Sequence, residues 1–137
     1  MGQLRPLPET DCDAAAFWQA AARSQLLVQR CDACGHHQHY ARPFCTACRE
    51  RSLQMVRCTG RGLLHSFTVV HRAPFEDLPA PYVVALIKLE EGPMLLSHVV
   101  DADLGTLRCD MPVHVDFQPL REGIVLPVFR TGYGASE

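Results

Sequence analysis

The chain has 137 residues, 47% hydrophobic and 20% charged, with a net charge of −2, the composition of one ordinary globular domain or two very small ones. Its single lysine, Lys88, stands against twelve arginines with no basic run, so the electrostatic footprint of a general nucleic-acid binder is missing. No stretch approaches the roughly 20 apolar residues of a membrane span, the amino end lacks a signal-peptide pattern, and the cytosol is the expected compartment.

In chain order, "PETDCDAAAFWQAAARS" is predicted as one helix. Thr10 and Asp13 have the S/T-x-x-D spacing of a helix start, and the alanine run favours helix. Ala14, Phe17, Trp18 and Ala21 form an apolar stripe, which either packs on its own chain or docks Phe17 and Trp18 on a partner. "SQLLVQRC" and "SLQMVRC" read as short strands, with loop between them. From Gly60 onward the pattern is β. "GRGLLHSFTVVHR" is a long strand, "YVVALIKLE" a nearly continuous apolar run expected to be buried on both faces, and "MLLSHVVD" its partner. "ADLGTLRCDM" is a polar connection with room for one helical turn. "PVHVDFQ" alternates, with Val113, Val115 and Phe117 on one face. "IVLPVFR" closes the set, Pro127 suiting an edge or bulge. Five strands with a long first one fit a small closed barrel of the OB type. The expected organisation is a helical segment over 1–24, a zinc ribbon over 25–58 and an OB-fold over 59–137, mainly β overall.

The stretch "CDACGHHQHYARPFCTAC" carries the chemistry. Cys31, Cys34, Cys45 and Cys48 form two C-x-x-C pairs. In a reducing compartment this reads as a tetrahedral four-sulfur site for one structural Zn²⁺, although iron takes the same geometry. Gly35 supplies the positive φ that the first turn needs. His36, His37 and His39 are expected to be solvated loop residues, because four cysteines already complete the shell. Cys12, Cys58 and Cys109 have no pairing pattern and read as free, partly buried thiols. No nucleophile elbow, phosphate loop, dinucleotide fingerprint or H-E-x-x-H is present. Glu90–Glu91 and Asp101-x-Asp103 read as turn carboxylates, and His65, His71, His98 and His114 as structural strand histidines. The residues therefore describe a binding or accessory module with no catalytic residue.

"LLVQRCDACG…CTAC", "GRGLLHSFTVVHRAP", "PYVVALIKLEEGPMLLSHVVD", "MPVHVDF" and "LPVFR" together resemble the zinc-ribbon plus OB-fold family, formerly a domain of unknown function and often called acyl-CoA-associated. The resemblance implies the four cysteines as metal ligands and no catalytic residue. It also implies a hetero-oligomer with a thiolase-like enzyme or steroid side-chain aldolase, sometimes with an enoyl-CoA hydratase. In such a complex the small subunit stabilises its partner, shapes the substrate entrance or holds CoA. If this chain touches CoA phosphates itself, Arg57, Arg61 and Arg72 are the candidates, with ordinary surface arginines the alternative. The chain departs from the family pattern twice: "HYARPFC" replaces a double-proline approach to the second cysteine pair, and Asp110 stands where a glycine precedes "MPV".

Overall fold

The computed structural model describes residues 3–10 and 12–132, with the Cys12 side chain outside that set. After an irregular amino-terminal segment, a 3₁₀ turn at Cys12–Ala14 leads into helix α1, Ala15–Ala21. The helix is shorter than predicted and starts later. Ala14 occupies its cap position without a side-chain hydrogen bond, so Thr10 and Asp13 do not start it. Seven residues cannot sustain a helix alone. Phe17, Ala20 and Ala21 are buried, and packing against the chain's own β elements holds it.

Two sheets follow. Strands β1 (Leu27–Cys31), β2 (His37–Gln38) and β3 (Leu53–Arg57) form an antiparallel ribbon in the order β2-β1-β3. Strands β4 (Arg61–Val70), β5 (Tyr82–Leu89), β6 (Met94–Val99), β7 (Pro112–Arg121) and β8 (Ile124–Thr131) close a barrel in the order β4-β5-β6-β8-β7. That order is the five-stranded Greek-key barrel of the OB-fold. The polar connection before β7 holds one 3₁₀ turn, Leu104–Thr106, with the Asp103 carboxylate accepting from the Gly105 N–H at 3.0 Å. The β7–β8 hairpin turns on Glu122 (φ 54) and Gly123 (φ 81), the two positive φ values that a two-residue primed turn requires.

One run behaves differently from expectation. In β5 only Val83, Ala85, Ile87 and Leu89 face the core, while Leu86 is 36% exposed and Lys88 is exposed. The strand is buried on one face, because a barrel wall has a single interior. Its apolar outer residues belong to the surface. Pro127 sits within β8, opposite Phe117 of β7. The β6–β8 ladder is confined to Val99↔Phe129, so β8 has a free edge beside Pro127, where a missing N–H is tolerated.

Ribbon, helix and barrel share one core. Phe17 of α1, Leu26 and Val28 of the ribbon, and Leu64, Ile87 and Phe129 of the barrel belong to the same buried cluster. The junction between the sheets is narrow at Gly60, whose φ is +87 and whose absent Cβ would lie 2.5 Å from Val115 Cγ1. The Gly60 carbonyl also accepts from the Val115 N–H at 2.8 Å, so neither side can retreat freely. Gly60→Ala is expected to cost about 2 kcal/mol through backbone strain plus overpacking. Gly123→Ala, with nothing within 4 Å of the new methyl, should lose only the conformational part, about 1 kcal/mol. Urea denaturation of both variants measures the difference.

Candidate functional site: a four-cysteine metal centre

The metal centre is built from two equivalent turns. Strand β1 ends at Cys31, and the first turn closes with Gly35 N–H donating to Cys31 O and Cys31 N–H donating to His36 O, at 2.8 and 2.9 Å. The second repeats the pattern: Arg49 N–H donates to Cys45 O and Cys45 N–H to Glu50 O, both at 2.8 Å. The residue after each second cysteine is left-handed, Gly35 at φ 80 and Arg49 at φ 70. The first turn thus uses glycine as expected. The second forces an arginine into the same conformation, at a cost of roughly 1 kcal/mol.

These turns bring Cys31, Cys34, Cys45 and Cys48 together, with all four sulfurs within 4.8 Å of one another. Cys31 Sγ lies 3.6 Å from Cys48 Sγ, and Cys34 Sγ 3.7 Å from Cys45 Sγ. A disulfide needs about 2.05 Å, so these are not disulfides. A tetrahedron with zinc–sulfur bonds of about 2.3 Å has edges of about 3.8 Å, and the observed spacings fit it. Electrostatics agree with an awaited cation. The Cys34 N–H holds the Cys31 thiol well below its usual range, at about 6. Burial works against ionisation of Cys45, but the N–H groups of Cys48 and Ala47 outweigh it and bring that thiol down as well. Cys48 receives the Glu50 N–H, yet burial and the neighbouring sulfurs push it up to about 12. Four thiols crowded within 4.8 Å of one another cannot all ionise without a cation among them, and a divalent ion supplies it. The cysteines hold one structural zinc, with a closed shell that leaves no position for substrate.

The histidines between the cysteine pairs do other things. His36 meets Thr46 Oγ1 through Nε2 at 3.3 Å, and His37 lies in β2, half-buried. The His39 ring packs against Phe17 and Tyr40, with centroids at 5.1 and 4.2 Å. Burial, with Arg42 adding to it, lowers its pKa to about 4. His39 therefore stays neutral and structural.

Two residues that the sequence did not advertise hold this loop. Gln29 and Gln38, partners across β1 and β2, are both buried. Gln29 Nε2 donates to Arg42 O, and Gln29 Oε1 accepts from Arg42 N–H, each at 2.9 Å. Gln38 Nε2 donates to Gln29 Oε1 at 2.8 Å and to Phe44 O at 3.2 Å. Gln38 Oε1 accepts from Thr46 N–H at 2.9 Å. The two amides replace a strand pairing that this loop lacks, and they steer the second cysteine pair into place. A glutamine in a short strand reads as surface, so pattern alone could not flag them.

The remaining candidates are dispersed. Arg57 is exposed at the end of β3. Arg61 pairs with Glu90 at 3.2 Å at the start of β4, and Arg72 is exposed beyond its far end. Strand β4 spans about 30 Å, so one phosphate cannot touch both Arg61 and Arg72. Phe17 is 8% exposed in the chain's own core, while Trp18 packs partly buried against that core. Cys58 is buried, and burial with the nearby Glu91 carboxylate pushes its thiol up to about 12; Cys109 is exposed. His98 Nδ1 lies 3.0 Å from Val83 O and His114 Nδ1 2.6 Å from Gly132 O, as strand histidines should. Glu90 and Glu91 hold Thr59, accepting from its Oγ1 and N–H at 3.0 Å each. Among the described residues Thr59 with Glu90, Cys58 with Glu91 and Thr46 with His36 each set a hydroxyl or thiol beside a group that could take its proton. The Thr46 hydroxyl already donates to Gln38 Oε1 at 3.1 Å, so it offers His36 no proton.

Removal of the metal should release the ribbon. Cys45→Ser is expected to reduce bound zinc from one equivalent to well below one and to lower the melting temperature, with zinc measured by inductively coupled plasma analysis. His39 adds a separate pH dependence. Its folded pKa lies below the unfolded value of about 6.5, so its contribution is full above about pH 6.5 and falls away as the pH drops toward 4. His39→Phe should flatten the stability profile over that interval relative to the wild-type chain, in parallel urea titrations.

Comparison with known proteins follows this geometry. Residues 18–54 match the family model described as "ChsH2, rubredoxin-like zinc ribbon domain", and residues 55–118 the one described as "ChsH2, C-terminal OB-fold domain". A "DUF35 domain-containing scaffold protein" of Methanothermobacter thermautotrophicus is 34% identical over 73% of this chain and 77% of its own length. A "Probable enoyl-CoA hydratase alpha subunit" of Thermomonospora curvata is 35% identical over 93% of this chain, which spans only 40% of that relative. Among solved structures, a chain of the "Ltp2-ChsH2(DUF35) aldolase" superposes with a TM-score of 0.84 at 34% identity, covering 91% of this chain and 98% of that one. A four-sulfur ribbon feeding a five-stranded barrel, with these likenesses along nearly its full length, places the chain in the ChsH2/DUF35 family of zinc-ribbon and OB-fold proteins.

Proposed function

We propose that this chain is a non-catalytic accessory subunit of a thiolase-like or aldolase enzyme acting on acyl-CoA, working in a cytosolic hetero-oligomer. Degradation of steroid or lipid side chains is the proposed setting. The observation that carries the reading is the match over nearly the whole length of a chain from the Ltp2–ChsH2(DUF35) aldolase. The chain's own chemistry supports it. The metal shell is closed, and the Cys58 thiol, which meets the Glu91 carboxylate, is buried and pushed up to about 12, away from the reactive thiolate. The outer wall of the barrel leaves Leu86 36% and Leu96 54% exposed, apolar surface suited to a protein partner. Among the described residues no helix is long and apolar enough to cross a membrane.

In this role the ribbon and barrel work as a rigid bracket. Zinc fixes the ribbon, and the shared core fixes the ribbon against the barrel, so a partner meets a preorganised surface and spends little entropy on ordering it. The partner supplies the nucleophile and base. Co-expression with a thiolase-like enzyme encoded beside this chain tests the proposal. The expected result is a complex of fixed stoichiometry by light scattering, with acyl-CoA cleavage by the complex and none by this chain alone. Turnover by the isolated chain, or a partner equally soluble and active without it, would overturn the reading.

A further inference from the structure

A cavity of about 650 Å³ opens on the outside of the barrel, and none of the four metal-centre cysteines lines it. Six separated segments wall it, the β4–β5 connection among them with Phe75 and Leu78. The outer face of β5 and β6 contributes Val84 and Leu96, α1 contributes Trp18, the amino-terminal segment Leu7, the ribbon loop Tyr40 and the β7–β8 hairpin Leu126. The amino-terminal segment is tied down as one wall. Arg5 N–H donates to Asp77 Oδ1 at 3.1 Å, Arg5 Nε lies 3.3 Å from Asp77 Oδ2, and Arg121 Nη1 reaches the same carboxylate at 3.3 Å.

Several polar groups of the walls are committed to other partners. Arg5 shares with Arg121 the Asp77 carboxylate, which despite its desolvation is kept below the usual carboxylate range by the Arg5 N–H and guanidinium. Ser97 Oγ donates to Pro127 O at 2.8 Å. His98 Nδ1 faces Val83 O at 3.0 Å. A carbonyl only accepts, so Nδ1 carries the proton and Nε2 keeps a lone pair. Burial, opposed by that Val83 bond and aided by Arg5, lowers the His98 pKa. His39, which also lines the cavity, is held neutral by burial. Arg5 Nε is buried without a hydrogen bond, although the Asp77 carboxylate lies beside it. On the β5–β6 wall, His98 Nε2 and the Tyr82 hydroxyl make no hydrogen bond among the described residues, on neighbouring rings whose centroids are 5.6 Å apart in a T-shaped contact.

We infer that this cavity is a binding site for a neutral ligand, apolar over most of its surface and carrying one hydroxyl or carbonyl group that meets Tyr82 and His98. The volume lies within the range of small-molecule sites, about 300 to 1,000 Å³. Arg5, the one arginine among the lining residues, is already engaged by Asp77, which it shares with Arg121, so an anionic group inside would have to compete with that carboxylate and lose hydration to do so. A hydroxyl can donate to Nε2, and a carbonyl can accept from the Tyr82 O–H. The site lies on this chain alone and does not depend on the accessory role proposed above.

Trp18, the one tryptophan of the chain, lines the cavity and reports on its filling. Titration of the full zinc-loaded chain with 1-dodecanol, 2-dodecanone and dodecanoate, each below its aggregation limit, should give a saturable change in Trp18 fluorescence for the two neutral probes. Affinity for dodecanoate should be at least tenfold weaker. Val84→Phe, which fills the floor, should weaken the neutral probes at least tenfold with zinc content and circular dichroism unchanged. Tyr82→Phe should weaken 2-dodecanone about tenfold. Dodecanoyl-CoA distinguishes the sources: affinity equal to the ketone's points to an acyl thioester, and much weaker affinity to a free neutral lipid. A response that never saturates, dodecanoate binding as well as the alcohol, or Val84→Phe behaving as wild type would overturn the assignment. So would a chain that sediments as a dimer with Trp18 unresponsive to every probe, since a second copy would then fill the cavity.

Discussion

Four sulfurs around one divalent ion are the constraint on which the rest of this molecule depends. The ribbon around them has three short strands, one of only two residues, and little apolar surface of its own. Such a unit cannot offset the entropy of ordering its backbone by burial. Thiolate–zinc bonds replace the missing core. They also explain the backbone of the two turns, where N–H groups converge on sulfur and a left-handed residue follows each second cysteine, whether that residue is glycine or arginine.

From that anchor the order spreads by packing. Leu26 and Val28 carry the ribbon into the same cluster that fills the barrel, and Phe17 adds the helix to it. A seven-residue helix and a three-stranded ribbon would each be marginal in isolation. Joined through one interior they become parts of a single rigid body. The buried Gln29–Gln38 pair does the corresponding work for polar groups, giving backbone atoms of the 42–46 loop the partners that a longer strand would have supplied.

What the molecule leaves outside is as informative as what it buries. The barrel interior is filled with side chains, so any ligand or partner must meet the outer wall. That wall is unusually apolar along β5 and β6. Part of it is exposed at Leu86 and Leu96, and part is roofed over by the amino-terminal segment, which the Arg5–Asp77–Arg121 ion pairs hold in place. The outer wall thus has two kinds of apolar surface, one open and one concave.

The four ligands, their tetrahedral grouping, two of the three ribbon strands and the five-stranded barrel were legible in the chain by itself, whereas the two-residue strand His37–Gln38 lies in what reads as loop. Each rests on local chemistry: the C-x-x-C spacing, two-residue alternation and turn residues such as Gly123. Asp110 shows how local rules bend without breaking. It takes φ 69, a left-handed conformation that glycine favours and that a short polar side chain can adopt. The structure alone decided that Phe17 turns inward, that the apolar run of β5 has a solvent-facing side, that two glutamines are buried, and that the candidate arginines lie far apart. These outcomes depend on which distant segments meet. Pattern records how apolar a residue is, whereas only the closed barrel determines which side of the wall it occupies.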